Sequence, residues 1–302
     1  MKLPGDDVVL RTLEPVLEGD GQGPVGVRCP NCGAEFAGPY CHVCGQKAGD
    51  LHISLREFFR EAISSLFSFD SRLWSTLKAL LRHPGQLTLD YWEGKRARYL
   101  PPLRLYLFVS FVAFLIFGAT GNSNVVNINS DGGIAPVQVQ GSAEEIDWEE
   151  QAEDTPRVIQ LLLLNVVRPA VEEPERLREL FFQRLPWAVF LLVPFFAVLL
   201  RVLYRKVDRY LVPHLIFSLH FHTTTFILLA LSSLSEWMIG SEAASLPFSL
   251  AIVVTLYIAL RRAYGSSRIK TFLKLCVLGF THLMTLSFVL LGTLLASTLS
   301  LS

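Results

Sequence analysis

Apolar residues gather into runs of helical length, divided by short charged segments, and most of these runs follow residue 100. The first, Leu103 to Ala119, holds one arginine and no acid. Further runs cover about 186–203, 214–239, 246–260 and 272–299. At about 1.5 Å per residue, runs of this kind approach the thickness of a bilayer, the first and fourth at the short end. The pattern predicts an all-α membrane protein with about five transmembrane helices. Pro101-Pro102 suits the start of the first, and Pro194 should kink the second.

Ahead of these runs the pattern is amphipathic. Leu55, Phe58, Phe59, Ala62, Ile63, Leu66 and Phe67 recur at helical spacing, as do Leu73, Trp74, Leu77, Leu80 and Leu81. Pro84-Gly85 breaks the second series, and a short helix follows over Leu87 to Trp92. Two readings of residues 47–102 stand side by side. The helices lie in the headgroup layer with Arg56, Arg60, Arg72, Lys78 and Arg82 towards anionic lipid, or they pack on each other and on the bundle.

Charge sets the orientation. Net charge is zero, but it is segregated along the chain. Lys95, Arg96, Arg98 and Arg104 crowd the entrance to the first span, where they serve as an orientation or lipid-headgroup cluster. Arg201, Arg205, Lys206 and Arg209 follow the second span, and Arg261, Arg262, Arg268, Lys270 and Lys274 lie between the fourth and fifth. The segment 121–185 opens with an acidic stretch free of Lys and Arg until Arg157, so it reads as an external loop. The positive-inside asymmetry predicts a cytoplasmic N-terminus and an external C-terminus, in a cell (inner) membrane. Residues 1–28 read as a flexible tail. Met1-Lys2-Leu3-Pro4 leads into Gly5, Asp6 and Asp7 and does not read as a signal peptide. Only 18% of residues are charged against 51% hydrophobic, which disfavours a soluble domain.

Residues 29–46, CPNCGAEFAGPYCHVCGQ, add chemistry. Cys29 and Cys32 form one CxxC knuckle, Cys41 and Cys44 the other, and each ends in a glycine that permits a tight turn. Four thiolates make a closed tetrahedral shell, the structural form of a Zn2+ site, and they suit a reducing compartment. His42 reads as a solvent-facing spacer. The ribbon has Arg28 and Lys47 only at its edges, too little charge for a nucleic-acid footprint.

No catalytic residue is identifiable. GxxxxGK[ST], HExxH and GxSxG are all missing. His214, His220 and His222 in the third span and His282 in the fifth form a candidate intramembrane polar site, because ionisable groups there are costly. Yet His220 and His222 point to nearly opposite sides of an ideal helix at about 100° per residue. Hydrogen bonding of each ring to a threonine or a carbonyl is the reading preferred over a shared ion.

The ribbon CPNCG…GPYCHVCGQ, the block FSFDSRLWSTLKALLRHPGQLTLDYWEGKRARYLPPLRLYLF and the block RYLVPHLIFSLHFH resemble an uncharacterised bacterial membrane family, labelled domain of unknown function 3667 (DUF3667). The resemblance runs from Cys29 to about Lys274. It implies a multi-spanning membrane protein bearing a zinc ribbon, and no activity.

Read together, these features predict a non-enzymatic scaffold or regulatory protein in the lipid bilayer, whose cytosolic ribbon binds a protein partner. One alternative is a small-solute or ion transporter or channel using the polar third and fifth spans. Five spans show no repeat, so homo-oligomers would have to complete its path. A second alternative is an intramembrane His-dependent metalloenzyme.

Overall fold

The computed structural model describes residues 27–48, 55, 56, 58, 59, 72–120, 155–207 and 210–301. Nearly all of the expected N-terminal tail, most of the first amphipathic helix and the acidic stretch 121–154 lie outside the described residues. Two short strands, β1 (Val27–Arg28) and β2 (Glu35–Phe36), pair antiparallel. Helices follow: α1 (Arg72–Arg82), α2 (Gln86–Trp92), α3 (Pro102–Ala119), α4 (Arg157–Leu162), α5 (Arg168–Glu172), α6 (Pro174–Tyr204), α7 (Leu211–Ile239), α8 (Leu246–Tyr264) and α9 (Arg268–Thr298). Among the described residues five helices are long and apolar enough to cross a membrane: α3, α6, α7, α8 extended back to Glu242, and α9. The chain is a multi-pass membrane protein.

Three helices outrun the spans drawn from hydropathy. Charge ends a hydropathic run, but it does not end a hydrogen-bonded helix. Thus α6 begins at Pro174 with Glu175, Arg176 and Arg178 in its opening turns, and runs on through both Pro186 and Pro194. Similarly, α8 continues past Leu260 through Arg261 and Arg262. It stops at Gly265, whose left-handed backbone returns its N–H to the Arg261 carbonyl. The basic residues Arg268 and Lys270 lie within the first turn of α9.

The described residues fall into two compact units. The first comprises the chain up to Gly121 together with Val193–Leu278. Its axis is α7, whose apolar window is 67% buried, against 6% for that of α9. Such burial in a polar-rich helix needs its hydroxyls satisfied locally. Thr223, Thr224 and Thr225 each donate to the carbonyl four residues back, and Ser218 donates to the Val193 carbonyl at 2.8 Å. Along one side α7 receives α3, where Phe226 packs against Tyr106 and Phe114, and Thr120 meets Ser233 Oγ at 2.9 Å. Elsewhere in this unit Phe196, Leu200, Phe217, Leu256, Leu260 and Leu278 form a core.

Within this core Tyr264 is the aromatic junction. Its ring stacks on Tyr204 at 3.9 Å between centroids and meets Trp92 edge-on at 5.5 Å. Lys274 Nζ sits 3.7 Å from the centroid of Tyr204.

From Arg72 onward the helices before the first span make tertiary contacts. Helix α2 buries Leu87, Thr88, Asp90 and Tyr91 and lies against α7 and α8, and α1 lies against α2 and α7. Trp74 and Leu81 nevertheless remain exposed on α1. Of residues 51–69, Leu55, Arg56, Phe58 and Phe59 are described as helical, with Phe58 buried.

The second unit comprises the described residues between Asn122 and Leu192, with Gly279–Ser302. One turn of π-helix, Leu163–Val167, joins α4 to α5, and the chain breaks at Glu173 before α6. Arg184 donates to Ser297 Oγ at 3.2 Å and to Ser300 Oγ at 2.7 Å. The pairs Arg168–Glu172, Arg176–Glu173 and Arg178–Glu175 are exposed, and such pairs contribute little to stability.

Candidate metal centre and the loop it docks on

The two CxxC knuckles fold alike. In the first, Cys29 N–H donates to the Ala34 carbonyl and Gly33 N–H returns to the Cys29 carbonyl, both at 2.8 Å. In the second, Cys41 N–H donates to Gln46 and Gly45 N–H to Cys41, again both at 2.8 Å. Gly33 and Gly45 carry φ of 79° and 70°, the left-handed turn expected of them. This repetition aims all four thiols inward. Their sulfurs lie within 4.8 Å of one another, with Cys29–Cys44 and Cys32–Cys41 each at 3.6 Å. A tetrahedral ion with metal–sulfur bonds of about 2.3 Å has sulfur–sulfur edges of about 3.8 Å, so the shell already has the size of a metal site. A disulfide would need about 2.05 Å. The backbone N–H groups of Cys44 and Val43 hold the Cys41 thiol below its ordinary value despite opposing desolvation, whereas desolvation, foremost, raises Cys29, so the case for a metal rests on the sulfur geometry. The four cysteines form a metal-binding site.

The ribbon docks through one side chain that sequence reasoning passed over. Gln46 Nε2 donates to the Gly94 carbonyl at 2.6 Å, and Gln46 Oε1 accepts from Arg96 N–H and Ala97 N–H, each at 3.2 Å. The amide thus reads the backbone of the basic turn ahead of the first span. Replacing Gln46 by alanine leaves those backbone groups without this partner. The expected result is retained metal but roughly tenfold faster hydrogen exchange at the Arg96 and Ala97 amides.

That turn is pinned from below as well. Arg72 Nη1 donates to the Ala97 carbonyl at 2.7 Å, and Leu100 N–H donates to Thr76 Oγ1 at 3.1 Å. Buried Asp90 gathers its other ties. Its carboxylate accepts from Gln86 Nε2 at 3.0 Å and from Tyr99 Oη at 2.8 Å, and Lys95 Nζ lies 3.6 Å away. Of the basic cluster picked out from the sequence, Lys95 is paired with Glu93 and Asp90. The Glu93 hydrogen bond, foremost, raises its pKa. The backbone of Arg96 is held by Gln46, Arg98 lies 5.9 Å from the centroid of the Tyr99 ring, and Arg104 is half-buried in the first turn of α3. An acid embedded between Leu89, Tyr91 and Trp92 was the available signal for Asp90.

His214, His220 and His222 go to separate partners. His214 Nδ1 lies 2.8 Å from Tyr264 Oη, and His220 Nδ1 lies 2.9 Å from Thr88 Oγ1 on α2. His222 Nδ1 donates to the Ser218 carbonyl of its own helix at 2.8 Å. These three belong to the first compact unit and His282 to the second. Among the described residues, the four cysteines are the group of His, Cys, Asp and Glu side chains whose ligand atoms converge. Thr88 could be found from sequence only by knowing that α2 reaches α7, which Trp92 also does by donating to the Pro213 carbonyl at 3.2 Å.

Comparison with known proteins returns no curated protein and no solved structure that matches. A family model, described as "Protein of unknown function (DUF3667)", matches residues 70–114. The match spans α1, α2, the turn read by Gln46 and the first two-thirds of α3. Through this segment, where the ribbon is received and the first span begins, the chain is similar to that family of unknown function.

Proposed function

We propose that this membrane protein is a scaffold or regulator that displays a zinc-loaded ribbon to a protein partner in the cytosol. The observation carrying this reading is the division of labour on the ribbon. Gln46, at the end of the second knuckle, ties the ribbon to the chain, while the same knuckle leaves Tyr40 59% and Val43 62% exposed, with His42 exposed between them. Exposed aromatic and aliphatic side chains on a rigid turn are suited to a protein surface. A shell of four thiolates has no open position for a substrate, which supports interaction over catalysis, and its softness and geometry favour zinc. The loop charges support a cytoplasmic N-terminus and an external C-terminus.

In α7 the hydroxyls of Ser218, Thr223 and Thr224 are engaged with carbonyls, which argues against a hydrated solute path along that helix. The test is in-cell photo-crosslinking from position 43, compared between the native chain and Tyr40→Ser. The expected result is a discrete cross-linked partner band reduced several-fold by Tyr40→Ser at unchanged metal content. An unchanged band, or no band in the native chain, overturns the reading.

A further inference from the structure

Beside the pinned turn lies an open cleft of about 380 Å³ that the ribbon does not use. Its polar walls are Ser75, Lys78, Arg82, His83, Arg98 and Tyr99. Helix α1 supplies the first three at i, i+3 and i+7, which places them on one face. His83 follows at its end. Arg98 and Tyr99 come from the turn, held on either side by the Arg72–Ala97 and Leu100–Thr76 hydrogen bonds. The wall is therefore built from two elements tied together, on which Ser75, Lys78, Arg82, His83 and Arg98 are exposed and Tyr99 is half-buried.

Among the described residues no acid lines the cleft. Asp90, which the Tyr99 hydroxyl reaches, is occupied by Gln86, Tyr99 and Lys95. Lys78, Arg82 and Arg98 therefore line one cleft together, with no acid among the described residues of that lining. Guanidinium and ammonium groups around a cleft with a serine hydroxyl match the charge and the acceptor oxygens of a phosphate. The volume exceeds what a bare phosphate fills and leaves room for a small group attached to it. On the adjoining edge of α1, Trp74 is 78% and Leu81 44% exposed, an apolar rim of the kind that sits at headgroup depth.

We propose that this cleft binds a phosphate group, carried by an anionic lipid headgroup at the membrane surface. The test uses the full-length protein in a non-ionic detergent, with binding read by native mass spectrometry. Four probes are titrated: short-chain phosphatidylglycerol, short-chain phosphatidylcholine, glycerol 3-phosphate and inorganic phosphate. Phosphatidylglycerol is expected to bind most tightly and to weaken at least about tenfold in Arg82→Gln/Arg98→Gln. Removing the same charge at Arg205→Gln/Lys206→Gln is expected to leave binding intact. Glycerol 3-phosphate or inorganic phosphate binding as tightly, with the same loss in the cleft variant, upholds the phosphate site and assigns it a soluble ligand. Metal content and melting temperature verify that the variant is folded. Should it not be, Lys78→Gln carries the same test with a loss of roughly threefold. No probe bound, or equal binding by the cleft and control variants, overturns the proposal.

Discussion

Serine at Cys29 is expected to strip the metal from the detergent-purified protein and to unfold the ribbon while leaving the helices assembled. The ribbon's own buried cluster is Cys29, Cys41 and Phe36, with partly buried neighbours, too little apolar area to hold residues 29–46 without an ion. Binding of a structural zinc contributes on the order of 10–16 kcal/mol in small domains, so the metal supplies nearly all of the ribbon's stability. A serine hydroxyl does not ionise to replace the thiolate. With the second knuckle released, Gln46 loses its fixed position, and the Arg96 and Ala97 amides exchange as they do in Gln46→Ala. The core around Phe196, Leu200, Phe217 and Leu260 shares no residue with the ribbon and survives. Metal analysis is expected to find one ion per native chain, none in Cys29→Ser and one in His220→Gln/His222→Gln/His282→Gln. A second ion lost only with the histidines would move the chemistry into the bundle and contradict the proposed function. Protons compete with metal for thiolates, so metal is retained at neutral pH and lost as the solution is acidified.

Alanine at Gly85 is expected to cost about 3 kcal/mol, the sum of a left-handed residue and a steric conflict. Gly85 has φ of 83°, and a Cβ built there would meet both Cα and O of Ala259 on α8 at 2.9 Å. Neither atom is the flexible end of a side chain, so α1–α2 and α8 would have to part. Two neighbouring ties would go with them: Arg262 to the Pro84 carbonyl at 2.7 Å and Thr88 to His220 at 2.9 Å. Gly265→Ala is the control. Its φ is 59°, but nothing lies within 4 Å of the added Cβ, so only the backbone cost of about 1 kcal/mol remains. Thermal denaturation in detergent separates the two. Equal shifts in melting temperature would mean that the approach of Gly85 to α8 carries no weight.

Pro84-Gly85 was legible in the sequence as a helix break, but not as a contact. A break signal depends on φ and on a missing donor, both local properties. The 2.9 Å approach depends on a helix some 170 residues later in the chain. The same holds for the histidines. The angular spacing of His220 and His222 already showed that one ion could hardly take both, whereas Thr88 and Tyr264 as partners required knowing which helices are neighbours. Span ends were displaced for a different reason. Hydropathy reports transfer into lipid, and α6, α8 and α9 continue for turns beyond it because backbone hydrogen bonding is indifferent to an arginine on the helix surface.

By itself the sequence determined that the chain is helical and crosses a membrane several times, and that four cysteines belong to one metal-binding site. Each follows from spacing within a short window: the length of an apolar run, or two residues between thiols. Only the tertiary structure decided that Gln46 fastens the ribbon to the basic turn, that Asp90 and Thr76 hold that turn, and that α2 is buried against α7 instead of lying free. These are hydrogen bonds and packing contacts between residues far apart in the chain, and no local period encodes which distant partner a buried polar group will find.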